Sequence, residues 1–193
     1  MNQEIFDKYM KKGSRPSQNY HEWLAFLEFC EAYLKKHDIR KPVVVELGIW
    51  KNAQKKFYKK LLGADHISID ITHNRGKPNI IGDTHDPETM KKLKALLRDR
   101  PVDILFIDAG HSYEDVRQDF YDYSPLCTGI VAFHDIYNGR EWKCWKVGVW
   151  KFWDELKELA RQGRRSYKRY LFIEFYKHRD RKRQMGIGVM IRK

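Results

Sequence analysis

Cysteine is scarce in this chain of 193 residues: Cys30, Cys127 and Cys144 are widely spaced, odd in number and form no CxxC pair. That speaks against a zinc knuckle and for free thiols in a reducing compartment. No apolar run approaches the ~20 residues that a membrane-spanning helix needs. The opening MNQEIFDKYMKKG carries charges throughout and no apolar segment of the signal-peptide kind. The expectation is a cytoplasmic chain with no membrane partner. Nucleotide and nucleophile signatures are missing as well: there is no GxGxxG, no Walker A loop, no GxSxG and no nucleophilic Cys-His pattern. The first of these absences lowers the odds of a dinucleotide-dependent oxidoreductase. Internal repeats, low-complexity tracts and interdomain linkers are lacking too.

What is present is a folded globule's composition, 42% hydrophobic and 14% aromatic, which argues against disorder. The length suits one domain with a proper core. Charge is uneven. From Arg140 onward 17 Lys/Arg stand against 6 Asp/Glu, so this last third holds +11 of the net +12. Such a basic third is read either as a solvated surface or as a site for a polyanionic partner or acidic substrate.

The spacing predicts alternating strands and helices. Residues 1–19 are polar, with a loop around Gly13, Ser14, Pro16 and Ser17. A helix follows over Tyr20 to His37, its stripe of Trp23, Phe26, Leu27, Cys30 and Leu34 covering a sheet. Val43 to Val45 opens a strand that ends at Glu46-Leu47-Gly48, and Lys51 to Leu62 reads as the next helix. His66 to Ile69 is a second strand ending in Asp70; Asn79 to Ile81 is a third, followed by Gly82-Asp83-Thr84. A helix starts at Asp86-Pro87-Glu88 and runs to about Arg98. Two apolar runs, Asp103 to Ile107 and Ile130 to Phe133, read as buried parallel strands around a helix over Tyr113 to Tyr123. Val147 to Arg161 has helical spacing. Tyr170 to Tyr176 and Gly186 to Ile191 close the chain as a hairpin across KHRDRKRQ. The pattern specifies an α/β fold: a Rossmann-like seven-stranded sheet, mostly parallel with an antiparallel last strand, and helices on both faces. Residues 1–40 form an N-terminal loop and covering helix, and 41–193 the domain proper.

In an open α/β sheet, ligands bind beyond the carboxyl ends of the strands, where this chain gathers its acids. Glu46-x-Gly48 is a nucleotide-type turn in which glycine lets backbone approach a ligand. Asp70 sits where an acid commonly accepts both hydroxyls of a ribose, and Gly82-Asp83 could receive an adenine amine. Singly each acid reads as a strand-end cap; together, in strand order, they favour an adenosine ligand. Asp108-x-x-His111 and Asp135 converge on the same rim. Two carboxylates with room for water suit a hard divalent cation such as Mg²⁺, and His111 could take a proton from a bound hydroxyl. For His111 the alternative is a structural hydrogen bond, and for His134 a histidine that orients Asp135. His21, His37, His66, His73, His85 and His178 are assigned to surface or packing. Trp142 and Trp145 could offer a stacking platform, while Trp150 and Trp153 follow helix spacing and read as core.

Taken in order, VVVELG, HISID, IIGDTHD, VDILFIDAGHSYEDV, YSPLCTGIVAFHDI, GVWKFWDELK and GIGVMI carry a resemblance. From about Lys41 to Arg192 the chain resembles class I S-adenosyl-L-methionine-dependent methyltransferases. Within them it is most similar to the branch of macrocin-type sugar O-methyltransferases and cephalosporin-hydroxylase-like proteins. The resemblance implies cofactor contacts from Glu46, Gly48, Asp70, Asp83, Thr84 and Asp108. It implies His111 as general base, Asp108, His134 and Asp135 as ligands of a Mg²⁺ ion, and methyl transfer to the hydroxyl of a small, saccharide-like substrate. Three positions depart from the pattern, the least of them Cys127-Thr128-Gly129 in place of Pro-Gly-Gly before the later strand, a turn change with little functional weight. Lys51-Asn52-Ala53-Gln54 replaces a second glycine and small hydroxyl residue, although Asn tolerates a left-handed backbone. His134-Asp135 stands where sugar methyltransferases carry Glu-Asp, and imidazole is a poorer Mg²⁺ ligand than carboxylate.

Two other readings stand beside this one. The basic last third suits the same fold acting on nucleic acid, which the absence of an Asn/Asp-Pro-Pro-Tyr motif disfavours. The altered first loop suits a non-enzymatic binding module. A homo-oligomer stays open.

Overall fold

The computed structural model describes residues 1–11, 16–73, 76–139, 147–176 and 185–192. Its strands are β1 (Val43–Leu47), β2 (Asp65–Asp70), β3 (Ile80–Ile81), β4 (Val102–Ile107), β5 (Cys127–His134), β6 (Tyr170–Phe175) and β7 (Ile187–Arg192). Its helices are α1 (Gln3–Met10), α2 (Tyr20–Lys36), α3 (Lys55–Leu61), α4 (Pro87–Leu97), α5 (Tyr113–Tyr123) and α6 (Val149–Arg161). The strands form one sheet in the order β3-β2-β1-β4-β5-β7-β6. All neighbours pair in parallel except β7, which inserts antiparallel between β5 and β6. This is the expected Rossmann-like sheet with its antiparallel last strand.

The side-chain period of two divides the apolar residues of the sheet between two layers. Val43, Val45 and Leu47 of β1, Leu105 and Ile107 of β4, and Val131 and Phe133 of β5 pack against Leu93, Val116, Phe120, Phe152 and Trp153 of α4, α5 and α6. Val44, Ile104, Phe106, Ile130 and Ala132 turn the other way, onto Trp23, Phe26, Phe57 and Tyr58 of α2 and α3. Central strands are therefore buried on both faces, which is why they are continuous apolar runs. Each of three helices opens on a polar side chain that accepts a backbone N–H: Asn19 from His21, Asp86 from Glu88 and Ser112 from Asp115. Strand order reverses between β1 and β4. The crevice above this point faces the loops after β1, β2, β4 and β5.

Three local expectations are corrected. The stretch expected to be an N-terminal polar loop contains α1, capped by Asn2, and Phe6 of that helix is fully buried against the rings of Tyr20 and Phe57. The helix expected from Lys51 begins only at Lys55, because Trp50 and Asn52 both hold positive φ (47° and 53°), a turn geometry no helix contains. The run expected over Ile130 to Phe133 extends to Cys127–His134. The charged connection at 177–184, Cys144, and the expected platform of Trp142 and Trp145 lie outside the described residues. Among the described residues no helix is long and apolar enough to cross a membrane.

Gly188 in β7 exists for one neighbour. A Cβ there would lie 2.9 Å from three ring carbons of Trp153, a fully buried indole whose Nε1 donates to Glu174 Oε1 at 2.6 Å. In most strands Gly→Ala is neutral or favourable, so a loss isolates this overlap. Gly188→Ala is expected to lower unfolding free energy by about 1–3 kcal/mol, the usual cost of overpacking, as read from urea denaturation.

Candidate active site

The crevice opens into a cavity of about 770 Å³, bordered by Gly48, Asp70, Asp83, Thr84, Asp108, His111, His134 and Asp135 among others. Eight of the nine residues expected to form the site thus border one space. The ninth, Glu46, does not. Alternation along β1 points its side chain, like that of Val44, toward the α2–α3 layer. There its carboxylate meets His66 Nε2 at 2.6 Å, both groups fully buried, with Tyr58 stacked on the imidazole. Burial raises the pKa of Glu46 and the His66 partner opposes that rise. Glu46 stands behind the site, locking β1 to β2, and its expected cofactor contact is corrected to this structural pairing.

The first loop is set by backbone contacts. Gly48 has φ +76°, its N–H donates to Ile69 O at 2.9 Å, and Asp108 N donates to Leu47 O at 2.8 Å. A Cβ on Gly48 would fall 2.2 Å from the Asp108 carbonyl oxygen, so only glycine lets the β1 and β4 loops touch. Beyond it Asn52 adopts the left-handed conformation its residue type tolerates, its N–H donating to Ile49 O and its side-chain amide to Lys77 O. Asp70 closes the loop from β2. Its Oδ2 accepts the N–H groups of Ile49 (3.0 Å) and Trp50 (3.3 Å), and its Oδ1 that of Thr72 (3.0 Å). With three N–H groups accepted, one lone pair, on Oδ1, is left for a ligand. Next to it Ile71 is 72% exposed and Trp50 53% exposed, and both border the cavity. Neither was visible as a site residue in the sequence, where each reads as one more apolar position beside a strand.

At the far end, Asp83 Oδ1 accepts the His85 N–H at 2.9 Å and the Thr84 carbonyl accepts the Tyr123 hydroxyl at 2.8 Å. Here the sequence reading needs correction: His85, assigned to surface or packing, borders the cavity and sets its Nε2 3.3 Å from Asp119 Oδ1. Asp119 is fully buried, and that burial raises its pKa to about 6, against the opposing hydrogen bond from Thr84 and the charge of His85. One signal was available. Asp119 is an acid on the stripe Val116, Phe120, Tyr123, the apolar face of α5.

The near end is built on the adjacent ends of β4 and β5. His134 Nδ1 lies 2.8 Å from Asp108 Oδ1 and 3.6 Å from Asp135 Oδ1; Asp135 Oδ2 lies 3.3 Å from His111 Nδ1. Burial alone would lower the pKa of His134, but the charges of Asp108 and Asp135 outweigh it and hold the imidazole at about 9. His111 is 45% exposed, and its carbonyl accepts the Gly148 N–H at 2.7 Å, which fixes the start of α6 against this loop. From the N-terminal segment Gln18 donates its side-chain amide to Asp108 Oδ2 at 3.3 Å, a contact across 90 residues that no local motif announces. Pro16, Ser17, Asn138 and Val147 complete this wall.

Comparison with known proteins adds the following. The family described as Methyltransferase domain matches residues 19–136. The fold is similar to that of MycE, a methyltransferase of mycinamycin biosynthesis solved with Mg, SAH and mycinamycin VI: TM-score 0.66, 15% identity, 97% of this chain and 54% of that one. It is also similar to the O-methyltransferase TomG of Streptomyces achromogenes, solved with SAM (TM-score 0.57, 13% identity, 100% and 91% of the two chains). An O-methyltransferase of Bacillus cereus, solved with SAH, gives TM-score 0.57 at 12% identity over 88% and 81%. Over 65 residues the chain is 35% identical to an uncharacterized protein, y4gI, of Sinorhizobium fredii, which is 33% of this chain and 7% of that protein. The chain thus spans about half the length of MycE and a small part of the Sinorhizobium protein.

The Asp119 carboxyl makes the far end pH-sensitive. Its folded-state pKa lies above the 3.8 of an ordinary Asp, so the fold binds its proton more tightly than the unfolded chain does. Stability is therefore fullest below pH 3.8 on this account and falls as pH rises through about 6. The fall amounts to about 3 kcal/mol. Asp119→Asn should abolish it: the difference in Tm between wild type and variant, recorded from pH 4 to 7.5, should widen in the variant's favour as pH rises.

Proposed function

The chain belongs to the methyltransferase-domain family, whose match covers residues 19–136, and from that premise we propose that it is an S-adenosylmethionine-dependent O-methyltransferase acting on a small hydroxylated, saccharide-like substrate. One observation carries the reading: a single cavity is bordered at one end by the Gly48 loop, Asp70, Asp83 and Thr84, and at the other by a histidine backed by a carboxylate. Its volume lies in the range of small-ligand pockets, ~300–1,000 Å³. The SAH bound to MycE and the SAM bound to TomG support the cofactor.

When bound, S-adenosylmethionine supplies an electrophilic methyl group on a sulfonium sulfur. The residues fit such a molecule. The lone pair left on Asp70 Oδ1 suits a ribose hydroxyl, and the exposed Ile71 side chain beside it offers an apolar face to adenine. Asp83 and Thr84 suit the adenine amine. The glycine-set turn at Gly48, where a Cβ has no room, suits the methionine portion. Opposite, His111 turns Nδ1 toward Asp135 Oδ2, leaving Nε2 to take the proton of a substrate hydroxyl, while Asp135 stabilises the imidazolium that forms. The residues around Gly48 and Asp70 would hold the sulfonium so that its methyl group is supplied to that hydroxyl oxygen, the sulfur leaving as a neutral thioether. Alignment of the two reactants within one cavity supplies much of the rate.

A divalent cation at Asp108, His134 and Asp135, which the resemblance implies and which MycE holds as Mg, is poorly matched by this donor set, in which an imidazole stands among the carboxylates. Among the described residues no three His, Cys, Asp or Glu side chains are grouped to hold a metal ion. No step is routed through one. Pro16 and Ser17 before α2, with Asn138 and Val147 after β5, border the cavity and are the proposed source of acceptor selectivity.

Calorimetric titration tests the reading. S-adenosylmethionine and S-adenosylhomocysteine should bind with micromolar affinity, and Asp70→Ala should weaken both at least tenfold. His111→Ala should leave that affinity within a factor of two and lower kcat by roughly 10²–10⁴ with any acceptor found in a saccharide screen, the usual weight of a general base. A folded wild-type chain that binds neither compound overturns the assignment.

A further inference from the structure

We propose that the basic turn between α6 and β6 is a docking surface for the phosphate backbone of a single-stranded nucleic acid. The strand is held at the end of the sheet opposite the cavity, as a tether and not as a methyl acceptor. The surface therefore stands whether or not the methyltransferase reading does.

Residues 161–173 hold five cations, Arg161, Arg164, Arg165, Lys168 and Arg169, and no Asp or Glu. All five are exposed. Arg161 is matched by Glu158, whereas among the described residues no carboxylate pairs with the other four. Backbone bonds brace the turn that carries them. Gly163, at φ +73°, ends α6, and the Arg164 N–H reaches back to Leu159 O at 3.1 Å. Tyr167 and Lys168 both donate to Arg164 O, at 2.8 and 3.0 Å, which brings positions 164 and 168 together within one turn of chain. Beneath it Tyr167 and Tyr170 pack on the core, and the Tyr167 hydroxyl lies 3.0 Å from that of Tyr121. Antiparallel pairing sets the exposed Arg192 of β7 opposite Tyr170, beside the same turn. α6 separates this cluster from the cavity. Its N-cap, Gly148, is bonded to His111, and its 13 residues span about 20 Å before the turn begins.

Charge complementarity names the partner. Like charges gathered on a fixed turn repel one another, and a polyanion relieves that repulsion. Four of the five cations are Arg, whose planar fork takes two phosphate oxygens at once. A phosphodiester chain offers such oxygens at every residue, and its binding releases condensed counterions. A lipid surface fits less well, because it draws on apolar side chains beside the charged ones. Between these cations stand only Gln162, Gly163, Ser166 and Tyr167, and Tyr167 is packed on the core. Leu171 is the one exposed large apolar side chain of the segment. The Tyr170 ring is also packed on the core, with the Arg169 guanidinium 6.0 Å from its centroid, so recognition falls to phosphates and not to stacked bases.

The test is fluorescence anisotropy of a labelled oligouridine RNA of about 12 nucleotides, titrated with the full chain over a range of KCl concentrations. Wild type should bind with Kd of about 1–100 µM in low salt. The quadruple variant Arg164→Gln, Arg165→Gln, Lys168→Gln, Arg169→Gln should bind at least tenfold more weakly. It should also flatten the plot of log affinity against log salt by about 3, roughly 0.7 for each of four phosphates. Lys55→Gln, Lys59→Gln, Lys60→Gln on α3 removes three charges elsewhere and should cost less than threefold. Equal losses from the two sets would mean that net charge alone attracts RNA, and would overturn the proposal, as would a wild type that does not bind. Phosphatidylserine vesicles bound more tightly than RNA at equal phosphate concentration, with loss in the quadruple variant, transfer the surface to membranes and overturn it too. Polyglutamate that displaces the RNA as well as unlabelled RNA does, charge for charge, also counts against it. Should the quadruple variant not fold, Arg165→Gln with Arg169→Gln decides: a loss of threefold or more upholds the surface, and a smaller one sinks it. S-adenosylmethionine should bind wild type and the quadruple variant equally, and a tenfold loss in the variant would show that the turn is not separate from the cavity. No S-adenosylmethionine binding to either chain fails the methyltransferase reading and leaves the RNA result intact.

Discussion

Everything at the rim depends on the register between β4 and β5. With Ile107 opposite Phe133, Asp108 and His134 leave the sheet as neighbours. A slip of one residue would turn Phe133 out of the α5–α6 layer and send the imidazole away from the acid. The core thus fixes the site: the apolar residues that cannot tolerate the slip are the ones that hold the ionisable pair in place. On the other flank Gly48 does the same by contact, because the β1 and β4 loops meet backbone to backbone.

The two helix layers bear unequal parts of this work. On the α4–α6 side the packing is largely apolar, with Asp119 as the buried exception beneath His85. The α2–α3 side carries the Glu46–His66 pair and, on α2, Glu22, whose carboxylate accepts the Gly186 N–H at 3.1 Å. Buried polar contacts of this kind add little to stability relative to apolar packing, and they are costly to break one partner at a time. Their effect here is to fix relative position: β1 to β2, and α2 to the start of β7.

Much of the fold was legible because strands buried on both faces are uninterrupted apolar runs, and because the Asp86-Pro87 pair marks a helix start. α1 was not, since a helix of eight residues that buries only Phe6 leaves little periodicity to read. The start of α3 was misplaced because lysines spaced by four look helical whatever the backbone at Trp50 and Asn52 does. Among site residues, the acids at strand ends could be found because topology alone brings strand ends together. Glu46 failed on a rule the sequence contained: one residue before the strand's last position it shares the face of Val44, toward the helices. His85 and Gln18 became site residues only through partners 34 and 90 positions away, Asp119 and Asp108, a pairing set by packing that no spacing encodes.

The tether at Asp70 has a thermodynamic consequence of its own. By accepting the N–H groups of Ile49 and Trp50, this carboxylate holds the first loop in shape through bonds within the chain. The ordering entropy of that loop is therefore borne by folding and not by association, so a ligand entering the crevice meets a surface already arranged. Any affinity lost on removing the carboxylate would then be a sum of two quantities, the direct contacts and the freedom returned to residues 49 and 50. A double-mutant cycle that pairs position 70 with a stiffened loop would separate them, and the coupling it yields measures how much of the molecule's grip is shape prepared in advance.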